Sequence, residues 1–293
     1  MKRVALVTCV VLPEPDPDQE PMLQALRDSG LQADMLAWDD PTKDPATYDL
    51  CVLRSAWNYY SDPDAFVAWV DRVEASTRLL NPAAIVHWNL HKGYLRKIEE
   101  AGTPIIPTAW FKHRKPADLA ATMEEHAWSD VVIKPAISAA SFRTQRFSSA
   151  NASEGQAFLE ILAQDGDAMV QKYMTGVESP GERALVFIDG EFTHAVIKRP
   201  RLADEPEKVT GAVTITPEEE SIAHDALACV AAAGVAGAKR LLYGRVDVVN
   251  DDTGRPVVSE VELMEPSLFL LQHPPAMKRF VKAINRECAA GMR

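Results

Sequence analysis

Short apolar runs and helical stripes take turns along the first third of the chain. Val4–Val7 is a continuous apolar run that gives way to a Pro-rich stretch, Leu12 to Pro21. Met22, Leu23 and Leu26 then recur at helical spacing until Gly30 supplies a stop. Leu31, Ala33, Met35 and Ala37 alternate as in a strand, Leu50–Leu53 is a second buried run, and Phe66, Val67, Val70 and Val73 form a helical stripe. Strands alternating with helices predict a parallel sheet with helices on its faces. The Asn81–Pro82 turn closes this unit, and the spacing sets a first domain over 1–88.

A helix carrying Lys92, Leu95 and Ile98, stopped by Gly102, opens a second unit over 89–173. In it a strand at Val131–Ile133 runs into Lys134, Pro135 and a small-residue loop, Ala136 to Ser141. A helix with Phe158, Leu159 and Leu162 and a strand at Ala168–Lys172 follow. The third unit, 174–293, is dominated by hairpins. Ala184–Ile188 and Glu191–Lys198 flank Asp189–Gly190, a strong two-residue turn signal. A helix over about 217–233 precedes a second hairpin, Arg245–Val249 with Pro256–Leu263, and a final helix starts near Pro275.

The second hairpin carries the most chemistry. A turn centred on Thr253–Gly254 sets Asp247 opposite Glu260 and Arg245 opposite Glu262. The period of two puts all four on one face and leaves Val246, Val248, Val257, Val261 and Leu263 on the other. Three carboxylates on one side of a half-buried hairpin repel one another unless cations offset them. Oxygen-only ligands suit Mg²⁺; equally, the face can be a solvated acidic one with Arg245 neutralising Glu262. Lys134, at a strand end beside a loop with free backbone N–H groups, suits phosphate. A lysine with its stem laid along apolar surface fits the same position. Lys92 sits early in its helix, where a cation opposes the macrodipole, and Lys198 and Arg199 add positive charge after the first hairpin.

Composition narrows the class. A chain of 293 residues, 47% hydrophobic and 25% charged, has the apolar mass for a folded core of about two domains. Its 31 Lys+Arg against 42 Asp+Glu leave a net charge of −11, which repels nucleic acid and anionic membranes. The apolar start after Lys2 and Arg3 ends at Leu12, too short for a signal h-region and cleavage site, so the expected location is the cytoplasm. Cys9, Cys51, Cys229 and Cys288 form no CxxC pair, and the histidines show no metal-ligand spacing. GxGxxG, P-loop, GxSxG and HExxH motifs are all missing, which leaves hydrolase chemistry unsupported.

In order, the chain offers Lys92, then Val-Ile-Lys134-Pro with a small-residue loop, then Val170-Gln-Lys-Tyr-Met174 leading to Glu178. Gly181-Glu182-Arg183, Lys198 and Asp247…Glu260-x-Glu262 follow. This set resembles the ATP-grasp superfamily of carboxylate–amine ligases over essentially the whole chain. The resemblance implies an α/β ATP-grasp fold: an N-terminal parallel α/β domain and two α+β lobes enclosing the nucleotide. It implies ATP contacts from Lys92, Lys134, Ser138, Ser141, Gln171, Lys172, Tyr173, Met174, Glu178 and Lys198, with Lys198 at the γ-phosphate. It implies two Mg²⁺ ions, or Mn²⁺, on Asp247, Glu260 and Glu262, the last standing where the family usually has Asn. Arg245 and Lys198 are the expected catalytic residues. The loop at 137–144 is the expected lid over the phosphates.

Leu-Val-Thr-Cys9, Leu-Arg54-Ser55-x-Trp57-x-Tyr59 and Glu260-x-Glu-Leu-x-Glu265-Pro-Ser-Leu-Phe resemble a narrower ATP-grasp branch. That branch includes the ligase that closes O-ureido-D-serine to D-cycloserine. On this resemblance Arg54, Ser55, Tyr59 and Glu182 face a small-molecule carboxylate that is activated as an acyl phosphate. Two alternatives stand beside ring closure: a ligase joining two separate molecules, and a nucleotide binder without turnover. A homo-oligomer is open; nucleic-acid and membrane partners are not expected.

Overall fold

The computed structural model describes residues 1–199 and 208–290. The first sheet is parallel, in the order β2-β1-β3-β4. Its strands are β1 (Arg3–Thr8), β2 (Gln32–Ala37), β3 (Leu50–Ser55) and β4 (Arg78–Leu80). Helix α1 (Gln19–Asp28) lies between β1 and β2, and α2 (Pro63–Ser76) between β3 and β4. Both faces are covered. Val4, Leu6, Leu50 and Val52 pack with α1 on one side, and Ala5, Val7, Cys51 and Leu53 pack with α2 on the other. Strands buried on two sides read as apolar runs rather than as alternation. That corrects the reading of β2: Leu36, off the predicted stripe, is as buried as Ala33, while Met35 and Ala37 are only half-buried.

Helices α3 (Ala83–Asn89) and α4 (Tyr94–Glu100) lead to an antiparallel sheet in the order β5-β8-β6-β7. Its strands are β5 (Thr108–Phe111), β6 (Asp130–Pro135), β7 (Gln145–Ser148) and β8 (Ala168–Lys172), backed by α5 (Leu119–Glu125) and α6 (Ala152–Asp165). The periodicity does not reveal β5, β7 or α5. All four residues of β5 are half-buried, β7 is polar but for Phe147, and α5 buries only Leu119 and Met123.

The third sheet, β10-β9-β11-β12, is also antiparallel. It holds β9 (Glu182–Ile188), β10 (Glu191–Lys198), β11 (Tyr243–Asn250) and β12 (Pro256–Glu262). Asp189 and Gly190 turn the first hairpin at φ 54° and 76°, the primed geometry their identities predict. Helix α7 (Pro217–Ala232) covers this sheet together with Tyr94, Leu95 and Ile98 of α4, so the helix after Lys92 joins the third sheet's core. The last helix, α8 (Pro274–Ala289), returns to the first sheet through Phe280 and Ile284, so both ends of the chain share one core.

Two buried polar side chains hold the sheets in register. Asn81 is fully buried: its amide donates to the carbonyls of Tyr243 and Leu263, 2.9 Å each, and its Oδ1 accepts from the Leu242 amide at 2.8 Å. The residue that reads as a turn is therefore the stitch between the first and third sheets. His194, also buried, points Nε2 at the carbonyls of Leu268 and Phe269, 3.1 Å each, and fixes the segment after β12.

Burial, helped by the neighbouring His273, pulls the His194 imidazole down to about 4. A histidine whose folded value lies below its unfolded value near 6.5 contributes stability that is complete above pH 6.5. That contribution fades as pH falls toward 4, because the unfolded chain takes up the proton first. About 3 kcal/mol is the ceiling of this effect. In urea melts the stability gap between wild type and His194→Gln is therefore expected to be widest near pH 7 and to narrow steadily to pH 4.5.

Candidate active site

β11 and β12 bring the predicted residues together. Arg245 pairs with Glu262 and Asp247 with Glu260, as the spacing predicts. Nearer the turn the register differs: Val248 faces Val258, Val249 faces Val257, and Asn250 faces Pro256, so the turn is centred on Thr253. Ser259 is the extra residue of a bulge that restores the expected pairing at the carboxylates. The bulge also exchanges two valines. Val258, not Val257, joins Val246, Val248, Val261 and Leu263 in the core, and Val257 turns to Ile106, Met174 and Val249.

Carboxylate oxygens of Asp247, Glu260 and Glu262 lie within 4.8 Å of one another. Each is offset by a cation. Arg245 Nε donates to Asp247 Oδ1 at 2.8 Å, and its Nη2 also reaches Glu262; Lys198 bonds Asp247, and Lys92 bonds Glu260. The neutralising contact from Arg245 to Glu262 that the spacing allowed is thus present. Lys198 also bonds Glu182 at 2.9 Å.

The electrostatics follow from burial and these partners. Burial favours the neutral acid throughout, but Arg245 and Lys198 outweigh it at Asp247, and Lys92 with Lys134 outweigh it at Glu260, so both are held low. At Glu262 burial wins, reinforced by Glu260 and Asp247, and its carboxyl is held high. Burial also lowers the Lys134 ammonium. Lys134 has no carboxylate within 4 Å among the described residues, which leaves it short of an anion.

All of these groups except the buried Asp247 line a cavity of about 350 Å³ between the second and third sheets. Lys92, Lys134, Lys198 and Arg245 occupy one part of it, and the segment Gln171–Met174 lines the other end with the apolar side chains of Ile106 and Val177. Gln171 is buried and donates to Thr108 Oγ1 at 3.1 Å, and Lys172 bonds Asp252. The Lys92 amide donates to the Ala136 carbonyl at 2.8 Å, which ties it to the loop after Lys134. Lys92 precedes its helix, which begins at Tyr94, instead of lying within the first turn.

Ser138 and Ser141 face the cavity from the loop above it. Ala140, Ser141 and Arg143 are left-handed at φ 49°, 57° and 48°, a costly conformation for residues with a Cβ. The loop is held to the first domain: the Tyr59 hydroxyl donates to the Ser138 carbonyl at 3.1 Å, and Phe142 stacks on Tyr60 at 4.1 Å.

Three predicted residues lie elsewhere. Arg54 and Ser55 are fully buried behind the cavity wall. Arg54 Nη1 donates to the Pro266 carbonyl at 2.8 Å, and Ser55 Oγ donates to Thr8 Oγ1 at 3.1 Å. They sit in β3, whose far side is closed by the third sheet. Glu178 is exposed, accepting from the Tyr173 hydroxyl at 2.6 Å and from Arg146 at 3.2 Å. Conversely, Glu14, Trp57, Asn89 and Glu265 line the cavity without having been singled out for it. Asn89 is anchored like Asn81, donating to the Val261 carbonyl and accepting from the Leu263 amide. Trp57 and Glu265 fall inside the branch motifs, which is the signal that could have found them.

Three sheets, a charged cavity and a loop docked over it are the architecture of an ATP-grasp ligase. The structure superposes on the D-alanine–D-alanine ligase from Bacillus anthracis complexed with ATP, with a TM-score of 0.72 at 13% identity, over 99% of this chain and 98% of the other. A closer match is the crystal structure of D-cycloserine synthetase DcsG: TM-score 0.88 and 32% identity, over 98% of this chain and 99% of that one. Residues 4–81 match the family model of the D-cycloserine synthetase DcsG N-terminal domain. The cycloserine biosynthesis protein DcsG of Streptomyces lavendulae is 32% identical over 96% of this chain and 97% of its own length. The chain belongs to the D-cycloserine synthetase DcsG family of ATP-grasp ligases.

Proposed function

We propose that this chain uses ATP to convert a small-molecule carboxylate into an acyl phosphate, and that the carboxylate is O-ureido-D-serine, closed to D-cycloserine. The observation that carries the reading is the convergence of Glu260 and Glu262 with Lys92, Lys134 and Lys198 in one cavity, with the buried Asp247 carboxylate within 4.8 Å of those two acids. Family membership supports the substrate. The three-part division of the chain, near 88 and 173, belongs to the same proposal.

A carboxylate resists attack because its charge repels nucleophiles and its oxygen leaves poorly. Transfer of the γ-phosphoryl group forms a bond from a carboxylate oxygen to phosphorus and breaks the bond from phosphorus to the β-phosphate oxygen, releasing ADP. Lys92, Lys134 and Lys198 hold the phosphates, with Arg245 beside the transferred group. The oxygen donors Asp247, Glu260 and Glu262, close-set and two of them held ionised, fit Mg²⁺. When bound there, Mg²⁺ draws charge from the phosphate oxygens. Gln171 to Met174 and Ile106 take the adenine end, and the loop at 137–144 keeps water from the acyl phosphate.

The ureido nitrogen next to oxygen then attacks the acyl carbon of the same molecule, phosphate leaves, and water removes the carbamoyl group. With both reacting groups on one molecule, the site mainly supplies a near-attack geometry. Incubation with ATP, Mg²⁺ and O-ureido-D-serine is expected to yield ADP, phosphate and D-cycloserine in equal amounts. AMP and pyrophosphate as the nucleotide products overturn the acyl phosphate. ADP formation that requires a second amine points to the intermolecular alternative.

A further inference from the structure

Glu265 is the buried acid of this cavity that the proposed chemistry does not use. It is 6% exposed, lies three residues beyond Glu262, and faces the same space as Glu260 and Glu262. Asp247, Glu260 and Glu262 each have a cation in contact; Glu265 has none within 4 Å among the described residues. Its polar neighbour is the Tyr59 hydroxyl, which already donates to the Ser138 carbonyl at 3.1 Å. One hydroxyl hydrogen thus stands between two acceptors, a carboxylate and a carbonyl. Trp57 braces the spot, its indole N–H donating to Glu265's own carbonyl at 2.7 Å. Lys92, bonded to Glu260, and Arg245 act on Glu265 only from beyond contact distance. A buried carboxylate without a cation in contact carries a desolvation cost that a ligand cation relieves.

We propose that Glu265, with the Tyr59 hydroxyl and the Ser138 carbonyl, forms the subsite for the substrate's α-ammonium group and so selects amino acids among carboxylates. The inference rests on the carboxylate-activating reading of the cavity and deepens it. An α-ammonium is attached to the carbon that bears the reacting carboxylate, so its subsite has to adjoin the metal and phosphate groups, as Glu265 does. Burial is the main reason that the Glu265 carboxyl is held high, against the opposing charge of Lys92, and an ammonium in direct contact adds to that counter-charge.

The test compares O-ureido-D-serine with its counterpart lacking the amino group, 3-(ureidooxy)propanoic acid, using the full chain, ATP and Mg²⁺ and reading ADP release. Wild type is expected to prefer the amino compound by about 10²-fold in kcat/KM, the scale for a buried charge partner. In Glu265→Gln the preference collapses toward unity, chiefly through a higher KM for the amino compound, and Glu265→Asp recovers part of it. A ratio that stays at the wild-type value in Glu265→Gln overturns the proposal, even if both rates fall, because a merely structural residue lowers both together. If wild type turns over neither compound, the substrate assignment fails by itself. The ammonium subsite is then decided by the same ratio for whichever of D-alanine or D-serine releases ADP, against propionate or 3-hydroxypropionate. Absence of ADP release from all of them overturns both readings.

Discussion

Glu260→Gln is expected to lower ATP-dependent turnover by about 10³-fold or more while the far-UV spectrum stays that of wild type. The side chain keeps its size, so the bulged hairpin retains its packing, but a carboxylate that Lys92 and Lys134 hold ionised becomes a neutral amide. Loss of one of three close-set carboxyl ligands, and one of the two held ionised, weakens Mg²⁺ binding and leaves Lys92 without the partner that orients it. Several kcal/mol of transition-state charge stabilisation depend on such a metal site, and each 1.36 kcal/mol is tenfold in rate. Steady-state kinetics with coupled detection of ADP, supplemented by titration with Mg²⁺, checks this. Activity within tenfold of wild type removes Glu260 from the metal site.

The largest loss of stability is expected from Asn81→Ala, about 3–5 kcal/mol in equilibrium urea unfolding. The side chain satisfies two carbonyls and one amide of the third sheet from a fully buried position. Alanine leaves all three without a partner and opens a cavity, and each orphaned buried group costs about 1–3 kcal/mol. That is a large share of the ~5–15 kcal/mol by which a domain is usually stable. Because Asn81 links the first sheet to β11 and the segment beyond β12, the variant is also expected to loosen the cavity wall. A shift below about 1 kcal/mol shows that the two sheets hold together without this stitch.

Asn81 also shows where the sequence stops informing. Its place before Pro82 reads as a turn, and nothing in spacing along the chain tells that its amide meets Tyr243 and Leu263, more than 160 positions away. Local pattern did reach the site where the chemistry is local. The period of two and a Thr253–Gly254 turn sufficed to set Asp247 against Glu260. That register held although the turn itself is centred on Thr253, because the bulge at Ser259 compensates, and a bulge leaves no mark in the pattern. The exchange of Val257 for Val258 in the core has the same cause.

Arg54 illustrates a second limit. A cation at the end of an early strand reads as a ligand group; here it is fully buried, and its Nη1 donates to the Pro266 carbonyl. The strand's end is roofed by the third sheet, a tertiary fact. The three lysines needed no such knowledge beyond their order along the chain, and the fold brings Lys92, Lys134 and Lys198 to one cavity. Half-buried edge elements such as β5 and β7 escaped because four residues with mixed polarity carry no usable period.

The central claim is that a carboxylate oxygen leaves the substrate on phosphate. It is tested most directly by labelling the substrate carboxylate with ¹⁸O and analysing the products by mass spectrometry after turnover with ATP and Mg²⁺. Acyl phosphate chemistry predicts one ¹⁸O atom in each inorganic phosphate released and none in the nucleotide. Label recovered in AMP, or released phosphate free of ¹⁸O, contradicts the account.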